Sequence, residues 1–463
     1  MSSETPRIPA RALFIVGNEA CERLSFYGMS AVLTLYMVKE LGMHKDTATS
    51  VSHIFKAGVY FLPLLGALIA DRWLGRYRTI LTLSVFYCFG HLALALFEGT
   101  TWGLYLGLAL IALGAGGIKP CVSAFIGDQF DESNQALLAK AYSLFYWAIN
   151  FGSFFAFAII PWVRDSWGYS WAFGIPGILM GLALIIFYAG SRTYTKVPPA
   201  GKKPGFMAAT FACLTAKDKS APFWRRAAGV LNPDGTRKFD DELLAGCHRV
   251  AGVIGLFSVI PVFWALFDQT STTWVLQGAK MIPISIPLPF LDTPWRLDAE
   301  SIQALNPALV MMLIPLLTLV AYPLAERLGL RPRPLRRMTL GMAITALSFV
   351  ACALIQTRVD AGAQLSILWQ GIPYLLLTVG EVLFSTTGLE FAFTQAPKSM
   401  KSTLMSFWLL TVAVGNFLVA GFAAKLGESF QASGMFLLYA ALMGVVTVAF
   451  AFLARRYARA HGA

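Results

Sequence analysis

What most limits the folds open to this chain is the gathering of its apolar residues into long, regularly spaced stretches. They fall near residues 12–38, 51–70, 79–97, 102–126, 139–162 and 170–190, and again near 248–276, 304–325, 337–356, 364–393, 402–424 and 432–454. About 20 helical residues cross ~30 Å of hydrocarbon, and a helix satisfies its own backbone hydrogen bonds where no water can do so. The chain is 57% hydrophobic and only 13% charged, against roughly one quarter charged in soluble globular domains. The expected fold class is an all-α polytopic membrane protein of 12 transmembrane helices in two six-helix bundles.

Charge orients the expected bundle. With both termini cytoplasmic, the inside segments carry the 191–247 linker (Lys196, Lys202, Lys203, Lys217, Lys219, Arg225, Arg226, Arg237, Lys238), "AERLGLRPRPLRRM" and the tail "ARRYARAHGA". Outside loops hold few Lys or Arg, so the positive-inside rule selects this orientation; "GDQFDESNQ" is an acidic inside loop, but acids weigh little in that rule. The net charge of +12 therefore signals topology and a lipid surface, and no nucleic-acid partner is expected. The expected location is the plasma (inner) membrane. A cleaved signal peptide is not expected, because the first apolar segment is long, charged and without a small-x-small cleavage site. Six scattered cysteines without CxxC spacing and five isolated histidines suggest neither a disulfide framework nor a metal site.

The expected domains are an N-terminal six-helix bundle at 1–190, a cytoplasmic linker at 191–247 and a C-terminal six-helix bundle at 248–463. Transporters built from two pseudo-symmetric halves share this layout and bind near the midplane. The linker holds one apolar patch, "FMAATFACL", too short to span and suited to the membrane surface. Pro283, Pro287, Pro289 and Pro294 forbid a continuous helix between the seventh and eighth spans, so an ordered or extended outer loop is expected there. In "GALIADRWLGRYRTI", Gly66, Asp71, Arg72, Gly75 and Arg76 resemble the loop signature of the major facilitator superfamily.

Three ionisable groups interrupt the first apolar segment. At 100° per residue Glu19, Glu22, Arg23, Phe26, Tyr27 and Ser30 share a face of roughly 140°. A central charge costs about 2.5 to 3.5 kcal/mol on insertion scales, so such groups face a polar interior. One reading is a structural ion pair, Glu19 with Arg23 at i, i+4; the second carboxylate leaves that set unbalanced. Lys119 can balance it. It lies ~10 Å above the cytoplasmic boundary and Arg23 ~16 Å above it, at 1.5 Å per residue. The alternative for Lys119 is snorkelling to the inner headgroups. Gly114, Gly116 and Gly117 read as packing surfaces. Glu381, ~18 Å from the inner end of its helix, sets an anion opposite two cations. That suits a zwitterion such as a dipeptide, whose termini lie about 5 to 7 Å apart.

"EACERLSFYG" is similar to the E-x-x-E-R-F-x-Y-Y-G motif of the proton-dependent oligopeptide transporter family, and "FYWAINFGSFF" to its F-Y-x-x-I-N-x-G-S motif. "FWALFDQ", "LNPALVMMLIP", "GEVLFSTTGLEF" and "SFWLLTVAVGNFLVAG" extend the resemblance across both halves. It implies that Glu19, Glu22 and Arg23 form a proton-coupling cluster, with Lys119 alternately pairing with carboxylate or substrate. Arg23 and Lys119 would receive a peptide carboxylate, Tyr27, Tyr60 and Asn150 would hydrogen-bond its backbone, Asn306 and Glu381 would take its ammonium, and Phe26 and Trp408 would line the site. Taken alone, Tyr60 and Trp408 are ordinary core or belt aromatics, and Asn150 and Asn306 interhelix glue. His53 aligns with a histidine on the proton path of some members, and Asp268 lies at similar depth; together they would form an outer gate, or His53 is a plain polar contact. Lys56 has no assigned role.

Several positions depart from the family pattern. Phe26 replaces the motif's first tyrosine and Leu24 its phenylalanine. Ser30 replaces an arginine that usually partners the acid at 268, and Cys121 stands for asparagine. The linker is too polar for the two extra helices of many bacterial members. The expectation is a proton-coupled symporter importing di- and tripeptides by alternating access, with membrane lipid around it and no cofactor beyond the proton gradient. The alternatives are a same-fold transporter of nitrate, an amino acid or a peptide-like drug and, more distantly, a membrane-embedded enzyme or channel.

Overall fold

The computed structural model describes residues 8–461 except 132, 133, 135, 136, 200–205, 217, 218, 233, 290–292, 330–332, 396, 398, 399 and 427–431. Each expected apolar segment is helical. In chain order these are α1 (Ala10–Lys39), α2 (Lys45–Phe61, continued by Pro63–Ile69 and Ala70–Leu74), α3 (Gly75–Leu96), α4 (Thr101–Gly127), α5 (Leu138–Trp167) and α6 (Tyr169–Ala189). The second set is α7 (Asp241–Phe257, then Ile260–Gly278 after a bend of 47°), α8 (Leu305–Leu316 through Tyr322–Arg327), α9 (Pro334–Asp360), α10 (Gly371–Glu381 through Thr387–Gln395), α11 (Lys401–Leu426) and α12 (Ala432–His461). Among the described residues nine helices are long and apolar enough to cross a membrane, or ten if the bent pair counts as one. That count differs from the expected twelve for two physical reasons. Glu19, Glu22 and Arg23 lower the apolarity of α1, and Lys45–Leu96 is one helical run holding two of the expected segments.

That run replaces an expected loop. The Asp71 and Arg72 pair sits on a π-helical turn at the end of α2, and the chain turns into α3 at Gly75 alone, with φ +75° and ψ 157°. Few side chains tolerate that conformation. Arg76 then binds Asp128 at the end of α4, 2.5 and 2.6 Å from its two oxygens. Gly66 brings α2 so close to α4 that a Cβ there would lie 2.3 Å from the Gly117 carbonyl oxygen.

Buried apolar side chains form two large clusters, one from Ala12 to Tyr194 with Ala304, the other from Phe206 to Tyr457. The linker's apolar patch is a helix, Phe206–Thr215. Its Phe206 packs on Trp224 and Phe407, while Met207, Phe211 and Leu214 are exposed. Lys202, Lys203 and Lys217 of the expected linker and Arg331 lie outside the described residues. Within the proline-rich segment after α7, β1 (Ile284–Ile286) pairs antiparallel with β2 (Trp295–Leu297), with Ser285 opposite Arg296. The hairpin marks the side that the positive-inside expectation makes the outer one.

Candidate functional site

The α1 charges are buried as one knot. Glu19, Glu22 and Arg23 are 5%, 1% and 4% exposed. Arg23 Nε lies 2.9 Å from Glu19 Oε1 and 2.5 Å from Glu22 Oε2. The attraction is between charges without hydrogen-bond alignment, since Arg23 Nε and both Glu22 oxygens lack a bond of good geometry. Gly152 of the "INFGSFF" stretch explains how α5 covers this knot: a Cβ there would meet Ala20 O at 2.7 Å and Arg23 Cβ at 3.1 Å.

Lys119 reaches the same region from α4. Its Nζ is shielded from solvent and meets no hydrogen-bond acceptor among the described residues. It sits instead 3.9 Å from the Tyr60 ring centre and 5.3 Å from that of Phe26, and Arg23 Cζ lies 6.0 Å from the Phe26 ring. Aromatic faces attract cations, but more weakly than a buried carboxylate would. Phe26 is buried, stacked on Phe55 and edge-on to Tyr27. Its ring occupies the place of the motif's tyrosine and brings no hydroxyl.

In the second half, Glu381 Oε2 accepts 2.6 Å from Asn306 Nδ2, which also lies 3.2 Å from Thr378 Oγ1. A π-helical turn, Val382–Thr386, follows Glu381; such turns interrupt helices at functional positions. Among the described residues no ion pair joins Glu381 to Arg23 or Lys119, so the two signs are held apart across the halves. Asn150 donates to Tyr146 O on its own helix. Trp408, expected to line the site, is 3% exposed and packed among Phe257, Trp264 and Phe384.

A second polar cluster lies outward of these groups and crosses between the halves. Lys56 Nζ donates to Asp268 Oδ1 at 2.8 Å and to Ser271 Oγ at 2.7 Å. Asn416 Nδ2 donates to Asp268 Oδ2 at 2.7 Å, its Oδ1 lies 2.7 Å from His53 Nδ1, and His53 Nε2 lies 3.2 Å from Thr272 Oγ1. Thus α2, α7 and α11 share one network. Lys56, which has no assigned role in the sequence, supplies the cation facing Asp268; among the described residues the Ser30 hydroxyl has no partner. The available signal was a cation one turn below His53 on a helix expected to meet Asp268. Further out, Arg164 of α5 binds Asp298 at 3.0 Å and also Glu300. Trp162 and Trp295 bond Thr293 O and Ala158 O at 3.1 and 2.7 Å. Leu35, Val275 and Ala299 pack together as a small buried apolar cluster on this side. These contacts join the two halves on the hairpin side, while Lys119 and Glu381 remain partly exposed.

The arrangement can hold an anionic group between Arg23 and Lys119, a cationic group at Glu381, and a proton on Glu19 or Glu22. A sequence model of the POT family matches residues 77–436. Solute carrier family 15 member 2 of Rattus norvegicus is 40% identical over 372 residues, covering 76% of this chain and 49% of that protein, so the chain spans about half its length. The in meso crystal structure of the POT family transporter PepTSo superposes with a TM-score of 0.87 at 39% identity, covering 98% of this chain and 99% of that one. An auto-inhibited POT family peptide transporter gives 0.86 at 39% identity, covering 97% of both chains. A family match over well over half the sequence, with folds that superpose nearly end to end, carries one conclusion: the chain belongs to the proton-dependent oligopeptide transporter (POT) family.

Proposed function

We propose that this integral membrane protein is a proton-coupled symporter that imports di- and tripeptides by alternating access, in the plasma (inner) membrane with both termini cytoplasmic. One observation carries the reading: Arg23 is held by two buried carboxylates while Lys119 lacks an acceptor among the described residues, and Glu381 stands in the other half. Protonating Glu22 removes one of the charges that hold Arg23. The guanidinium then turns with Lys119 to a peptide carboxylate, and Glu381 with Asn306 takes the ammonium. Proton and peptide loading support each other because each relieves the charge the other leaves exposed. The link from Lys56 to Asp268 and the His53 to Asn416 bond act as the outer gate, which must open before peptide enters from outside. The proton gradient is the only energy source in this account. It is a transport reading, not an enzymatic one, and relatives described as peptide transporters support its substrate class. The second reading, a transporter of another small anion or amphoteric solute, is weaker because Glu381 favours a cationic group beside the anionic one.

The test is uptake of a labelled dipeptide into proteoliposomes with the interior alkaline. The proposal predicts uptake that collapses with the gradient and is competed by dialanine. Uptake indifferent to both would remove it.

A further inference from the structure

The inner end of the C-terminal half carries a feature that neither the charge knot nor the outer gate uses. A groove of about 870 Å³ opens between the start of α9, the end of α10 and the end of α12. Arg333, Arg336, Arg455 and Arg459 rim it, all exposed. Among the described residues none of these four has an ion pair. Their neighbour Arg337 differs, being paired with Glu390 at 3.3 Å and set over the Tyr322 ring. The rim is thus a concentration of uncommitted positive charge.

The floor is apolar. Ala343, Phe391 and Ala451 line it, and Leu340 at its edge is 54% exposed. Leu347 and Leu354, also exposed, continue the same line up α9 at seven-residue spacing. That lane covers ~21 Å at 1.5 Å per residue, more than the ~15 Å hydrocarbon depth of one leaflet. A small soluble anion would use the arginines but leave the floor and lane bare. A molecule with a phosphate head and acyl tails matches both, with the head at the level where basic pockets between spans hold anionic lipid.

We propose that this groove is a binding site for an anionic phospholipid of the inner leaflet, its phosphate held by the four arginines and a chain laid along Leu340, Leu347 and Leu354. The lipid would brace the inner segment of α10, Thr387–Gln395, which lies beyond the π-helical turn that follows Glu381. Only the choice of leaflet rests on the proposed orientation; the lipid class follows from the groove.

The experiment presents the full purified chain, stripped of lipid, with phosphatidylcholine micelles containing a minor fraction of phosphatidylglycerol, and counts retained lipids by native mass spectrometry. Phosphatidylglycerol should be retained over phosphatidylcholine. The triple variant Arg336→Gln, Arg455→Gln, Arg459→Gln should lose that preference by roughly 10- to 100-fold, from the contribution of each basic side chain near a lipid surface. The corresponding Arg→Lys variant should keep most of it. Removing three exposed arginines elsewhere (Arg225→Gln, Arg237→Gln, Arg249→Gln) should leave it unchanged. Equal retention of both lipids by the wild type, equal loss from both Gln variants, or displacement of the lipid by millimolar inorganic phosphate would overturn the proposal. None of these readouts depends on transport, so they stand apart from the peptide assay.

Discussion

The α1 knot and the proposed outer gate are both buried carboxylate and cation clusters, yet they are built in opposite ways. The gate is satisfied: both Asp268 oxygens and Lys56 Nζ have partners at 2.7 to 2.8 Å. It joins α2 to α7 and α11, so it holds the two halves in one relative position. The knot lies within the N-terminal half. Its charges are close but unaligned, and Lys119 beside it has no acceptor among the described residues. A satisfied cluster stores a conformation; an unsatisfied one is ready to change partners. Buried ion pairs are weak evidence of stability but strong evidence of cost when one member is lost.

Three substitutions probe that contrast, the largest effect first. Arg23→Ala leaves two buried carboxylates without their cation, which should cost about 3 to 5 kcal/mol and bring dipeptide uptake to ~1% of wild type or less. A melting curve and an uptake assay together check it, and near-normal uptake would show that the knot is structural filler. Lys56→Ala should destabilise the outer-closed state by about 2 to 3 kcal/mol, by leaving the buried Asp268 without its cation. An added cysteine at Leu35, in the closed outer plug, should then label much faster with an impermeant maleimide, and Lys56→Arg should restore protection. If labelling does not change, the pair is not a gate. Asn416→Ala removes one bond to Asp268 and one to His53, so the same labelling should report about 1.5 kcal/mol. An effect larger than that of Lys56→Ala would invert the proposed order and make the asparagine the main latch.

The helical layout was legible in the sequence because backbone chemistry in hydrocarbon leaves few choices, and the apolar stretches mark where those choices are made. The grouping of Glu19, Glu22 and Arg23 on one face followed from helical period alone. Other features needed the third dimension. The turn between α2 and α3 reads as a loop in sequence, but one glycine at φ +75° accomplishes it. Three-residue strands such as Ile284–Ile286 carry too little pattern to announce a hairpin. Lys56 looks idle in the sequence because its partner is 212 positions away. Trp408 is packed among three other aromatics here, a placement set by neighbours that the local sequence does not specify.

The central claim is that Glu22 switches between a proton and the grip on Arg23, and Glu22→Gln tests it most directly. In proteoliposomes this variant should lose accumulation of labelled dipeptide against a gradient, because the amide is permanently neutral. It should still exchange labelled for unlabelled dipeptide in counterflow, because Arg23 and Lys119 remain free to bind. Loss of both activities in step, or retention of gradient-driven accumulation, would contradict the account.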